Sequence, residues 1–441
     1  MTLGVVWAQY GPYHFARFSA LQSLAGATRV CAVEIASQTR DYQWLRSVAP
    51  VDLTTLCPDC AVEQLPFLRV FLRARQVFAH LGINVCMLPS YSPSQSLAVL
   101  LAAKSLGIRT VMMNETHAGT ARAAGLAAGV KRRLVKLFDS ALVGGSPHRN
   151  YFASLGMPPD KIFIGYDSVD NDFFARKAEE FRSRQSEVGR QYDLPEHYFL
   201  SLGRFIAKKN LATLILAFRK VLDSSRICQT HLVLVGSGEE EAALRSLCRE
   251  LYLPTYDKTT AGKEIDNRKR STEPPGVHFY GFRQIEENPL FYALADAFIL
   301  PSLWEEWGLV VNEAMASGLP VVVSETVGCA EDLLKPGSPR VPINLSADQS
   351  ARLTRLAGRI RQNGFVFNPN SVESLADVLI FLEEDSMIRQ SMGKASVELI
   401  REFSCENFAR NALLAAQAAF GPRANHEGSP AHPKVAVPQT D

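Results

Sequence analysis

The sequence predicts an α/β protein made of two doubly wound parallel-sheet domains that face each other across a cleft. Three observations carry this. Short apolar runs rich in β-branched residues alternate with longer stretches of helical period through most of the 441 residues. The alternation breaks over the charged stretch FFARKAEEFRSRQSEVGRQYDL and then restarts. No apolar run reaches the ~18 residues that a membrane-spanning helix needs.

In the first half the strand candidates are Leu3–Ala8, Val30–Ile35, Val85–Pro89, Thr110–Asn114, Ala141–Val143 and Ile162–Gly165, with helical stretches between them. The segment Asp172–Leu194 is charged and poor in β-branched residues, which reads as a surface connector. The second half offers strands at Tyr198–Leu202, His231–Val235, Val277–Tyr280, Ala297–Leu300 and Pro320–Ser324. Residues 255–275 and 336–362 interrupt this alternation and read as insertions, the second with a short basic helix at Ala351–Ile360. The expected division is a first domain over 1–172, a connector over 173–195, a second domain over 196–400, a crossing helix over 401–420 and a disordered tail over 421–441. Phe403–Ala419 has helical spacing, and Ser404 stands where a cap belongs.

A chain that is 47% hydrophobic and 21% charged, with 28 Gly and 24 Pro, is not collagenous, coiled-coil or wholly disordered. The 47 Lys and Arg nearly balance the 45 Asp and Glu, so nothing global calls for a nucleic-acid partner. The opening MTLGVVWAQYGPYHF has no charged residue before its apolar run and reads as a first strand, which sets the expectation of a cytoplasmic protein. Of eight scattered Cys, only Cys57 and Cys60 are close, with no second pair at zinc-site spacing, and CPDC reads as a plain loop.

Three segments carry chemistry. Strand Tyr198–Leu202 runs into Gly203-Arg204-Phe-Ile-Ala-Lys208-Lys209-Asn210, which puts a flexible turn, Arg and Lys cations and a helix start at a sheet's switch point. A diphosphate fits there, and a solvated cationic turn remains open on these residues alone. The turn GSG after His231–Val235 lets a ligand approach Gly236 closely and says no more. In ADAFILPSLWEEWGLVVNEAMASGLPVVVS, the amides of Gly308, Leu309 and Val310 begin a helix and form a second anion cradle. Glu305 and Glu313 flank that helix start. Carboxylates beside an anion cradle make sense as acceptors of hydroxyl hydrogen bonds, so a ribose and a sugar are the natural partners.

With these segments in this order, the chain resembles the retaining glycosyltransferases of family 4, glycosyl transferase group 1, over nearly all residues up to about Phe420. Glu305-x7-Glu313 resembles the family's paired-Glu signature, GRFIAKKN its diphosphate clamp, and GSG, FYGF and ADAFILPS fall in the family's order. The resemblance implies the GT-B fold, two Rossmann-like domains across a cleft. It implies transfer of a sugar from a nucleotide-diphosphate donor, most often a UDP-sugar, to an acceptor hydroxyl with retention. No cofactor and no metal are implied.

Residue by residue, it implies Arg204 and Lys209 at the diphosphate, Glu305 on the donor sugar and Glu313 on the ribose. Gly308, Leu309 and Val310 would hold the distal phosphate, and the backbone around Gly281-Phe282-Arg283 would face the base. Asn114-Glu115-Thr116-His117 is similar to the loop with the family's donor-facing His, which makes His117 a candidate near the anomeric centre. Where the family has a two-glycine loop with a His, this chain has Tyr10-Gly11-Pro12-Tyr13-His14. Only Gly11 is present, and His14 becomes an acceptor-side candidate.

The following stretch AGTARAAGLAAGVKRRLVKLF carries Lys131, Arg132, Arg133 and Lys136. It suggests peripheral contact with anionic lipid or a lipid-linked glycan acceptor, or else an ordinary cationic outer helix face. A sugar-nucleotide epimerase, a phosphorylase and a non-catalytic nucleotide-sugar binder share this architecture. The intact Arg204, Lys209, Glu305 and Glu313 favour the transferase, and no pyridoxal-lysine motif is evident.

Overall fold

A computed structural model describes residues 1–39, 51–121, 126–224, 228–262, 273–337, 354, 356 and 358–421. The expected tail beyond Gly421, most of the 336–362 segment including half of the basic helix expected at Ala351–Ile360, and the middle of the 255–275 segment lie outside the described residues.

Seven strands make the first sheet: β1 Thr2–Trp7, β2 Arg29–Gln38, β3 Leu53–Ala61, β4 Val85–Leu88, β5 Arg109–Asn114, β6 Ser140–Val143 and β7 Ile162–Ile164. Their spatial order is β3-β2-β1-β4-β5-β6-β7, parallel throughout. The strands read as near-continuous apolar runs because helices cover both faces. One face packs on the helices Phe67–Leu81, Ser94–Ser105 and Ser146–Ser154 through residues such as Phe78, Val99 and Phe152. The other packs on Pro12–Leu24 and on the C-terminal helix Cys405–Phe420.

That last helix crosses back from the second half of the chain. Its inner side is small, with Ala409, Ala412, Ala415, Ala416 and Ala419 buried, so its backbone lies close to the sheet. Ser404 caps it by accepting from the Asn407 amide, and Ser140 Oγ donates to the Ala415 carbonyl at 2.7 Å.

The second sheet has eight strands: β8 Tyr198–Leu202, β9 His231–Val235, β10 Thr255–Asp257, β11 Val277–Phe279, β12 Ala297–Leu300, β13 Val321–Ser324, β14 Ile360–Arg361 and β15 Gly364–Phe367. The order is β10-β11-β9-β8-β12-β13-β15-β14, with β14 alone antiparallel. Two parallel α/β sheets, each wound on both faces, are the architecture expected from the alternation.

Several expectations need correction. CPDC is not a loop: Cys57 through Cys60 lie in β3, and Pro58 is tolerated because β3 is an edge strand. The surface connector expected over Asp172–Leu194 is helical, formed by the helices Asn171–Ser183 and Gln185–Gln191. Their charged outer faces hide Phe174, Ala178 and Val188, and Phe174 and Val188 join the second domain's core. The start of the 255–275 segment is strand β10, and the end of 336–362 is strand β14.

Candidate active site

The C-terminal ends of the two sheets meet at a cavity of about 600 Å³. On the second-domain side, the loop after β8 is held by Asn210, whose left-handed backbone (φ 54°) closes a turn. Its amide donates to the carbonyls of Pro301 and Pro369 at 3.1 and 2.9 Å, which ties the cationic loop to the end of β12. The Leu303 amide donates to the Lys208 carbonyl at 2.8 Å and closes the same junction.

This junction sets Lys209 against Glu305. Lys209 Nζ lies 2.6 Å from Glu305 Oε1, and Lys208 Nζ lies 3.4 Å from Oε2. Ser302 Oγ donates to Oε1 at 3.1 Å. Burial alone would raise the Glu305 carboxyl, but the two ammonium groups and these hydrogen bonds outweigh it and hold the group below the usual carboxylate range. Lys208 also bonds Glu306 at 3.2 Å and stands 4.3 Å from the Trp304 ring centre.

Glycine makes the approach possible. Gly236 has φ 139°, and a Cβ there would fall 1.9 Å from the Gly203 carbonyl oxygen. Gly308 has φ 106° and caps the helix Leu309–Ala316, whose first-turn amides have no partner within the helix. Arg204, Lys209, Gly203, Gly236, Phe282, Glu305, Gly308, Leu309 and Val310 all line the one cavity.

Glu313, Gly11, His14 and His117 do not line it. Glu313 is fully buried beneath the wall. Tyr13 Oη donates to its Oε1 and Tyr292 Oη to its Oε2, the latter at 2.9 Å. Burial pushes its carboxyl up to about 7 despite these hydrogen bonds. The His14 Nδ1 accepts from the Gly11 amide at 3.0 Å, and its ring lies 4.7 Å from that of Trp7. Burial, with Arg17 nearby, lowers His14 to about 3, so it is neutral.

His117 has both ring nitrogens engaged. Nδ1 accepts from the Gly119 amide at 3.2 Å, so Nε2 carries the hydrogen and donates to the Glu305 carbonyl at 2.9 Å. His148 repeats the pattern: Nδ1 accepts from Gly145 at 3.1 Å, and Nε2 donates to the Glu306 carbonyl at 2.8 Å. Two first-domain imidazoles thus hold consecutive carbonyls of the second domain's acidic loop. Ser146 adds 2.7 Å bonds from its amide and hydroxyl to Asp332, and Asn312 donates to the Asp167 carbonyl at 3.1 Å.

Sequence reasoning missed Tyr13, Glu115, Asn288 and Glu306, all of which line the cavity. Glu115 follows the end of β5 and faces the buried Asp167, whose two oxygens accept no hydrogen bond from an N–H or hydroxyl. Burial raises both carboxyls, with the Arg17 guanidinium opposing it. The only signal for Tyr13 was the departure of its loop from the two-glycine pattern.

Residues 196–385 match the family model of Glycosyl transferases group 1. The second domain is similar to the group 1 glycosyl transferases. A stretch of 177 residues is 31% identical to an uncharacterized glycosyltransferase of Methanocaldococcus jannaschii, covering 40% of this chain and 39% of that one. Another of 263 residues is 27% identical to the sulfoquinovosyl transferase of Arabidopsis thaliana, covering 59% and 40%. The matched stretches span about two fifths of each of these relatives.

Among solved structures, sucrose-phosphate synthase of Thermosynechococcus elongatus superposes with a TM-score of 0.66 at 16% identity, over 95% of this chain and 99% of that one. HepE of Anabaena, solved with UDP and glucose, gives 0.63 at 16%, over 95% and 100%. The fold is GT-B.

Proposed function

We propose that this protein is a glycosyl transferase that moves a sugar from a nucleotide-diphosphate donor, with UDP as the base-carrying part, to an acceptor hydroxyl with retention of configuration. The observation that carries it is the single cavity in which Arg204, Lys209 and the Gly308–Val310 amides stand beside Glu305. Cations and helix-start amides suit a diphosphate, and a carboxylate held ionised suits the hydroxyls of the sugar. UDP in the HepE structure and the names of the relatives support the reading.

In this mechanism Arg204 and Lys209 stabilise the charge that develops on the diphosphate as the bond from the anomeric carbon to its oxygen breaks. The acceptor oxygen bonds that carbon from the same face, and its proton passes to the departing phosphate oxygen. Glu305 holds Lys209 in place and accepts from the sugar. His117 acts through the backbone, positioning the Glu305 loop by its bond to that residue's carbonyl.

The acceptor belongs on the first-domain side, a glycan or lipid-linked hydroxyl. In the helix Leu126–Val135, Val130, Arg132 and Arg133 are exposed, and Lys136 follows them, exposed as well. Lys131 instead donates to the Tyr151 hydroxyl at 2.9 Å. This surface suits peripheral contact with anionic lipid at the cytoplasmic face. No helix among the described residues is long and apolar enough to cross a membrane.

Thermal-shift screening with UDP, GDP and ADP sugars tests the donor, because a ligand of the folded state raises its stability. Release of the nucleoside diphosphate from the donor that stabilises best should fall at least ~100-fold in Arg204→Ala and in Glu305→Ala. Unchanged turnover in both would sink the assignment.

A further inference from the structure

The hydrogen bond from Tyr13 to Glu313 spans the cleft, since Tyr13 stands in the first turn of Pro12–Leu24 and Glu313 lies in Leu309–Ala316. Tyr292 occupies the other carboxylate oxygen from within the second domain. Glu313 therefore shows no surface to the cavity, while Tyr13 forms part of its wall. A phenol and a ribose hydroxyl are the same kind of donor to a carboxylate.

We propose that the Tyr13 hydroxyl and a ribose hydroxyl compete for Glu313, so that Tyr13 is a first-domain residue that sets the affinity for a nucleoside diphosphate. The inference rests on the reading of the cavity as a nucleotide-sugar site. Tyr292 is wholly buried and packs edge-on against Phe174 and Phe298, so it stays. Tyr13 is only partly buried. The start of its helix is held independently by the Gly11 amide on His14, so its ring can swing away without unwinding that turn. Displacing it also releases one link between the domains, while the bonds from His117, His148 and Ser146 persist. Nucleotide occupancy and cleft opening are thereby coupled through one side chain.

The test is calorimetric titration of UDP and of inorganic pyrophosphate into the full chain and into Tyr13→Phe at pH 8.5. That pH keeps Glu313 ionised after one of the hydrogen bonds that lower its pKa is lost. Loss of the competing hydroxyl should tighten UDP about tenfold, as befits a hydrogen bond to a charged group. Pyrophosphate, which has no ribose, should bind both proteins alike. Equal or weaker UDP binding by Tyr13→Phe overturns the inference alone, as does an equal gain for pyrophosphate. If neither protein binds UDP, GDP or ADP at millimolar concentration, the nucleotide reading itself falls and takes this inference with it.

Discussion

Lys209 Nζ stands 2.6 Å from Glu305 Oε1, and this pair joins the cationic loop after β8 to the acidic loop after β12. Both side chains are largely removed from water, so losing either leaves the other without its nearest opposite charge. Lys209→Ala should cost ~100-fold or more in UDP release, and Glu305→Ala a similar amount. The double variant should lose far less than the product of the two, measured as initial rates, because the residues act as one unit.

The imidazoles of His117 and His148 hold the carbonyls of Glu305 and Glu306. Replacing His148 by Ala leaves a carbonyl without its donor and should cost about 1–3 kcal/mol, read by urea unfolding. Burial lowers His148 to about 4, so the folded protein keeps it neutral while the unfolded chain takes a proton below pH ~6.5. Stability from this group is therefore present above pH ~6.5 and lost as pH falls toward 4, by up to ~1.4 kcal/mol per unit. The wild type should show a steeper loss between pH 7 and 5 than His148→Ala.

Glu313, with its carboxyl raised to about 7, accepts a ribose hydroxyl best when ionised. UDP should bind more tightly at pH 8 than at pH 6. Calorimetry on Glu313→Gln should show weaker binding with that rise removed.

Gly236→Ala places a Cβ 1.9 Å from the Gly203 carbonyl and strains a backbone at φ 139°. Both obstacles are backbone, so neither yields to a rotamer change. We expect a stability loss of about 2 kcal/mol or more and no detectable UDP binding, checked by thermal unfolding and titration.

The parts legible in the sequence are those encoded by contiguous residues. The strand β8 with GRFIAKKN, and β12 with its paired Glu residues, announce themselves because strand, turn and helix start follow one another along the chain. Strand β3 escaped notice because Pro58 sits in it, which only an edge position allows. The helices after Asn171 escaped because their buried Phe174 and Val188 are diluted by charged outer faces. Glu115 and Tyr13 were illegible as site residues for another reason: Tyr13 faces Glu313, 300 residues on, and Glu115 faces Asp167 from a different loop, pairings that no local pattern names.

The sequence by itself determined the two-sheet architecture and the cationic and acidic motifs that meet at the cavity, since periodicity and turn chemistry act over a few residues. Only the tertiary structure decided which partners those motifs take. It set Lys209 on Glu305, turned His117 to a backbone carbonyl, and buried Glu313 under Tyr13. Such choices depend on where two domains place their loops, and a buried charge or imidazole must accept whatever partner that packing brings within hydrogen-bond distance.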